Sequence, residues 1–391
     1  MANFQPYHPE QAELLPAHVR DVLGADHLCF LLHEVVESWD LGEFVEVYSE
    51  AGGQSPYDPR LMLKVWLYAF ALNVRTTRKL EQRIQEDLGF RFLAGGAAPD
   101  HKTLSEFQRR HGQAIRRLFT QVLRLLRQSG LAQVGTVAID STRLKANASP
   151  ERVLRAAELE RKVAQWQQHL DDDPDRNPGM RVESPALARV REQLQRVRNS
   201  GEARLSETDP EARFVRQGHG RFQLGYTAEI AVSQDHFIVT QRVTQAKADN
   251  HALLPLVDAV TQACQQAPGC VLADAGFSSQ TNLEQMAARG IDAYIPDSNL
   301  MSEIKGNGSA DQFRPTRDPH LLAMRHKLRS PVGRQQYNRR KGLVEPVFAI
   351  LKEHRGLRQF QRRGLAQVGV EFAIAALAYN LTRLYRLRHS A

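Results

Sequence analysis

Two aspartates close apolar runs that read as buried strands: Asp140 ends "VGTVAID" and Asp274 ends "CVLAD". A carboxylate there is costly unless it is paired, hydrogen-bonded or bound to a metal. Each taken singly has an ordinary explanation as a helix N-cap, and "ADAGFSSQTN" contains the residues to start one. A third acid, Glu345, lies in the strongly basic stretch "YNRRKGLVEPVFAILKEHRGLRQFQRRG" at 337–364. Three carboxylates converging from separate elements would suit a divalent cation such as Mg2+, which keeps waters for a substrate to replace. Two such ions, roughly 3.5–4 Å apart, clamp the attacking and leaving oxygens of a phosphodiester.

Helical geometry places Tyr337, Lys341, Glu345, Phe348 and Lys352 within an arc of about 80°, with Arg340 well away from Glu345. Pro346 disfavours helical backbone at Glu345 and removes a donor. It is expected as the first residue of a helix, with Tyr337 and Lys341 in a preceding turn. Glu345 and Lys352 then share one face, two turns apart.

The elements that must carry these residues change character along the chain. Residues 1 to about 130 have helical spacing, as in "RLMLKVWLYAFAL". Thr103 and Glu106 have capping-box spacing, and "NVRTT" could join two helices as a helix-turn-helix with "RKLEQR" as recognition segment, although any helical hairpin reads the same way. From 134 strand texture begins. Residues 150–200 form a charged helical hairpin whose "DDDPDRNPGM" tip reads as a solvated turn. Two alternating runs divided by "SQDH" give a β-hairpin; a helix, the strand ending at Asp274, a helix, the short strand "DAYIP" and an apolar helix at about 368–386 follow. That order is α/β on a mixed sheet.

At 391 residues the chain is long enough for two or three domains, and 42% hydrophobic with 25% charged residues suits a globular protein. The longest apolar run, "EFAIAALAYNL", falls short of the about 20 residues a bilayer needs. The start "MANFQPYHPEQAELLP" lacks signal-peptide character, so a cytoplasmic location is expected. Cys29, Cys264 and Cys270 lack zinc or disulfide spacing. The net charge is +8, and residues 331–391 hold twelve Lys and Arg against three acids. That density points to a polyanionic partner, with a solvated basic face as the bland alternative. Asp249 and His251 in "ADNHALL" read as caps of the next helix, with lining of the acidic site as the alternative. "HEVVE" lacks the second histidine of a zinc helix.

The blocks "VAIDSTRLKANAS", "VLADAGFSSQTNL" and "YNRRKGLVEPVFAILKEHRGLRQFQRRG" resemble the three catalytic blocks of bacterial insertion-sequence DDE transposases. "YDPRLMLKVWLYAFALNVRTTRKLEQRI" and "DLGFRFLAGGAAPDHKTLSEFQRRH" resemble the InsH-type N-terminal domain of the same proteins. The likeness spans roughly 4–385. It implies an RNase H-like mixed-sheet catalytic core over 131–391, a helical N-terminal domain over 1–130 for DNA end recognition, and a helical insertion at about 150–212, between the first and second strands. It further implies Asp140 on the first strand, Asp274 after the fourth and Glu345 on a later helix, holding two Mg2+, with Mn2+ as substitute.

Tyr337, a basic residue and Lys352 match the family's signature around Glu345; Arg340 and Lys341 each fit the basic position in part. These residues, with Arg355, Arg358, Arg362 and Arg363, would grip phosphates of double-stranded DNA, both terminal repeats and target, with a homodimer on the ends and no membrane. The implied activity is cleavage at element ends and strand transfer in a bacterial, nucleoid-associated protein. A transposase-derived DNA-binding protein that does not cut, and a metal-dependent nuclease that does not join, are the competing readings.

Overall fold

The computed structural model describes residues 18–48, 55–171, 185–216, 220–304 and 316–389. The chain divides into two units, residues 1–107 with 384–391, and residues 108–383.

The first unit is helical: α1 (Val19–Val22), α2 (Leu28–Glu37), α3 (Gly42–Val45), α4 (Pro59–Ala71), α5 (Thr77–Glu86), α6 (Leu88–Ala94) and the first part of α7 (His101–Arg110). Asp58 starts α4 by accepting from the Arg60 N–H at 2.7 Å, with Pro59 at the first helical position, where its missing donor costs nothing. Every residue from Met62 to Phe70 is buried, and Tyr68 and Phe30 pack on Phe90 and Phe92 of α6 at 4.6 and 5.0 Å between ring centroids. Thr76 caps α5, so "NVRTT" does join two helices. The capping box is not where spacing put it: Asp100 accepts the Thr103 N–H at 2.7 Å, which places Thr103 inside α7. An Asp one turn upstream outcompeted the threonine for the same role.

The second unit contains α8 (Gly112–Gln128), whose apolar stripe Ile115, Leu118, Val122, Leu123 and Leu126 is buried, and then the sheet. Its strands are β1 (Thr136–Lys145), β4 (Arg213–Arg216), β5 (Phe222–Ser233), β6 (Ile238–Thr244), β7 (Cys270–Ala273) and β8 (Asp292–Tyr294). The order is β4-β5-β1-β7-β8, with β6 also on β5. β5 runs antiparallel to β1, β4 and β6; β7 is parallel to β1 and β8. The "SQDH" hairpin is present, with His236 at φ 63°.

Between β1 and β5 lies the insertion. Its strand pair, β2 (Val153–Arg155) and β3 (Arg204–Ser206), flanks helices α9 (Ala156–Asp171) and α10 (Pro185–Asn199). These close a small core of Leu154, Leu159, Leu194, Val197 and Leu205. The hairpin tip, apart from Asp171, lies outside the described residues.

Helices α11 (Leu253–Cys264) and α12 (Gln280–Ala288) flank β7 in sequence, and α13 (Ser298–Ile304) and α14 (Pro319–Arg329) follow β8. α15 (Pro331–Ala349) runs on into a π-helical turn, Ile350–His354. The following segment pairs with the end of β1: Lys145 N–H donates to the Arg358 carbonyl at 3.1 Å and Phe360 N–H to the Lys145 carbonyl at 2.9 Å. Buried acids hold this basic loop through its backbone. Glu371 accepts from the Gln361 and Arg362 N–H groups, and Asp209 from Gly364 N–H at 3.1 Å and the Tyr226 hydroxyl at 2.8 Å.

α16 (Leu365–His389) closes the chain. At 25 residues it is long and apolar enough to cross a bilayer, contrary to the estimate from "EFAIAALAYNL", yet 78% of its apolar window is buried, as in a core helix. Asn380 on it meets β6 like a strand partner, accepting the Ile238 N–H at 2.9 Å and donating to the Ile238 carbonyl at 2.8 Å.

The mixed-sheet α/β core, the helical N-terminal region and the insertion after the first strand all agree with the expected RNase H-like class.

Candidate active site

Register brings two of the three acids together. β1 and β7 run parallel with Thr136 beside Cys270 and Ile139 beside Ala273, so Asp140 and Asp274 are each the next residue on. Adjacent strands lie about 4.8 Å apart, and both carboxylates emerge at the same carboxyl-terminal edge. Asp140 Oδ1 accepts the Ser141 N–H at 2.8 Å, and Asp274 Oδ1 accepts the Gly276 N–H at 2.9 Å, capping the 3-10 turn Ala275–Phe277. Asp274 thus has the capping role its sequence allowed, with its second oxygen left for other work.

Burial pushes the Asp140 carboxyl up to about 6; Arg340 opposes the shift, and the like charge of Asp274 adds to it. Asp274 is raised too, by burial first, against the pull of Arg340 and with the repulsion of Asp249. Two carboxyls that resist ionising side by side have the electrostatics of a site for a cation.

The cation the structure places there is Arg340. Its Nη1 donates to Asp140 Oδ2 at 2.9 Å, with side chains only 10% and 17% exposed. Burial works against the Arg340 charge, but Asp140, Tyr337 and Asp274 more than offset it, and its pKa is raised. Tyr337 is buried beside Arg340 and donates to Met301 Sδ at 3.7 Å. Lys341 is exposed and makes no ion pair among the described residues. Of the two candidates for the basic position, Arg340 is therefore the one at the acids.

Glu345 is exposed and makes no hydrogen bond or ion pair among the described residues. No group of three acids, histidines or cysteines close enough to share a metal occurs among those residues. As a donor set, Asp140 and Asp274 fit a divalent cation; Glu345 is not gathered with them.

The helix that carries it corrects two expectations. Pro346 does not begin a helix but sits inside α15, so Tyr337, Arg340 and Glu345 belong to one continuous helix. The cost is limited because Pro346 and Gly342 are both exposed: the carbonyl deprived of its partner faces water, and nothing approaches within 4 Å of a Cβ at Gly342. The buried residues are Gly333, Tyr337, Arg340, Leu343, Val344, Val347 and Phe348, while Lys341 and Glu345 are exposed, so Tyr337 is buried with Arg340 and not with Lys341. The π turn then shifts the phase. Lys352 turns onto the Thr142 hydroxyl, on the same face of β1 as Asp140, and no longer matches the exposed Glu345. Burial, then the charge of Arg358, lowers the Lys352 pKa, against Asp140.

The four further arginines are placed unequally. Arg358 is exposed and paired with Glu353 at 2.6 Å; Arg363 is exposed and donates to the Asn147 carbonyl at 2.8 Å. Arg362 donates to Gln108 at 2.9 Å, and Arg355 is buried.

Sequence reasoning undervalued Asp249. The next helix has Ala252 at its N-cap and no side-chain cap, while Asp249 Oδ1 accepts from Ser141 Oγ at 2.7 Å and from Arg143 Nη1 and Nη2 at 3.1 and 3.0 Å. His251 is exposed. The available signal was alternation: in "DSTR", Ser141 and Arg143 leave β1 on the face opposite Asp140 and need a partner there.

Comparison with known families matches residues 18–110 to the one described as "Transposase domain (DUF772)" and residues 135–381 to the one described as "Transposase DDE domain". No curated protein matches the chain, and no solved structure does. The second match covers more than half of the sequence and contains β1, β7 and α15 with all three acids. The chain belongs to the DDE transposases of insertion sequences.

Proposed function

We propose that this transposase cleaves phosphodiesters at the ends of its element and transfers the freed strand into target DNA, using Asp140, Asp274 and Glu345. The observation that carries this reading is the register of β1 and β7, which sets Asp140 and Asp274 side by side. Mg2+, or Mn2+ in its place, bound by these carboxylates would supply Lewis-acid activation of the attacking oxygen and charge neutralisation at the leaving one.

The chain's own groups do the rest. Asp140 and Asp274 present oxygens from a rigid edge, and Glu345 joins them from α15. Tyr337, Arg340 and Lys352 would contact the phosphates flanking the scissile bond, and Arg358 and Arg363 would extend that path over the surface. Arg355, buried, and Arg362, half-buried and bonded to Gln108, would support that path rather than contact DNA. The helical region over 1–130 recognises the terminal repeats, and two protomers assemble on the paired ends.

The test is cleavage and joining of an end-containing duplex with Mg2+ by the full chain and by Glu345→Gln. Loss of cutting with binding retained supports the reading; a variant that cuts like the parent overturns the site. The exposed position of Glu345 favours one alternative, a DNA-binding protein that no longer cuts. Wild-type protein that binds ends but leaves them intact would establish it.

A further inference from the structure

We infer that Asp249 is a positioning residue for Asp140 and Asp274, acting through Arg143 and Ser141; this rests on the two aspartates being the cation site. Three elements meet at it. Ser141 joins the site from both ends: its N–H donates to Asp140 Oδ1, and its hydroxyl donates to Asp249 Oδ1 while accepting from Arg143 Nη1 at 3.0 Å. The Arg143 guanidinium grips Asp249 through both terminal nitrogens and the Lys247 carbonyl at 3.2 Å. Arg143 and Asp249 are only 16% and 19% exposed.

The Asp249 turn is also tied to the Asp274 turn. Asn282 on α12, almost fully buried, donates to the Asn250 carbonyl and to the Phe277 carbonyl, both at 2.7 Å. The two carboxylates border one glycine: a Cβ on Gly276 would lie 3.1 Å from Asp274 Oδ1 and 3.2 Å from Asp249 Oδ2. The gap between them is as wide as a glycine and no wider.

Charge explains why an acid stands there. Arg143 is within electrostatic reach of Asp274. The Asp249 carboxylate neutralises the guanidinium and holds it away. With a neutral side chain substituted at Asp249, the half-buried guanidinium loses its ion-pair partner and turns to a remaining carboxylate, Asp274, where it competes with any incoming cation. Asp249 therefore keeps Asp274 available without binding the cation itself, as outer carboxylates do around metal sites.

The experiment is calorimetric titration of the DNA-free full chain with Mn2+ alone, in wild type, Asp140→Asn, Asp249→Asn, Arg143→Gln/Asp249→Asn and Asp249→Glu. Asp249→Asn should lower Mn2+ affinity about tenfold or more, and removing the orphaned cation in the double variant should restore most of it. A role in folding alone would lower affinity in both and would not be rescued by deleting a second buried group. The inference is overturned if Asp249→Asn binds Mn2+ like wild type, or if the double variant binds no better than the single one. Should Asp249→Asn fail to fold, the double variant and Asp249→Glu carry the same comparison. If Asp140→Asn leaves Mn2+ binding unchanged, the cation-site reading itself falls, and this inference with it.

Discussion

Replacing Asp140 by Asn should stabilise the metal-free protein near neutral pH. Burial lifts its carboxyl from 3.8 to about 6, although Arg340 opposes the shift. Such a group binds its proton more tightly folded than unfolded. Its contribution is therefore fully present below about pH 4 and lost as pH rises through about 6. At roughly 1.4 kcal/mol per pH unit, the gap between the two values corresponds to about 3 kcal/mol. Little of that is screened by solvent, because the side chain is only 17% exposed. Asn has the same shape and keeps an acceptor for Arg340. It approximates the protonated form at every pH.

The assay is urea unfolding in EDTA, from pH 4 to 8, for wild type and Asp140→Asn. The variant should exceed wild type by up to about 3 kcal/mol at pH 7.5, and the difference should close toward pH 4. Excess Mg2+ should shrink or reverse it by stabilising only the wild type, about 2.7 kcal/mol at a hundredfold excess over Kd. A variant less stable than wild type at pH 7.5, or a difference indifferent to pH, would refute the reasoning. The Arg340 ion pair would then outweigh burial.

Mg2+ should raise the wild-type thermal midpoint more at pH 7.5 than at pH 5, because protons compete for Asp140 and Asp274; equal shifts in a thermal melt would count against the pair as ligands. Arg363→Gln should weaken end binding similarly on all sequences and lower the salt slope by about one, measured by anisotropy over a salt series. Arg355→Gln, at a buried position, should act on stability before DNA affinity, visible as a lowered unfolding midpoint. Glu371→Ala removes the acceptor of two loop N–H groups and should cost about 3 kcal/mol in urea unfolding, since a buried charge-assisted pair of bonds is left unmade.

The strands were legible wherever alternation or an apolar run faced one environment. The "SQDH" hairpin and the strand before Asp274 follow from local pattern, and the acids at strand ends could be picked out for the same reason. What sequence could not supply was phase. Pro346 has a strong local preference to begin a helix, but packing of Tyr337, Arg340, Val344 and Val347 on the sheet kept α15 continuous through it, and the exposed Gly342 carbonyl made that tolerable. A π turn is set by tertiary packing and has no sequence period, so the position of Lys352 could not be extrapolated from Glu345. The partner of Asp249 was hidden because Ser141 and Arg143 are more than a hundred residues away.

The three acids of the proposed site are held by different means, and this accounts for the split between them. Asp140 and Asp274 are fixed by backbone bonds of β1 and β7; moving one relative to the other means slipping a strand, which would turn every side chain to the wrong face. Glu345 depends on α15, whose attachment is side-chain packing and whose backbone lacks a bond at Pro346. Its carboxylate is exposed and makes no hydrogen bond or ion pair among the described residues, so Glu345→Gln should leave stability within about 0.5 kcal/mol of wild type. Asp140→Asn should raise it. Loss of cleavage in both, with stability raised in one and unchanged in the other, is what one preassembled pair and one recruited acid predict; three equally buried ligands would all raise it.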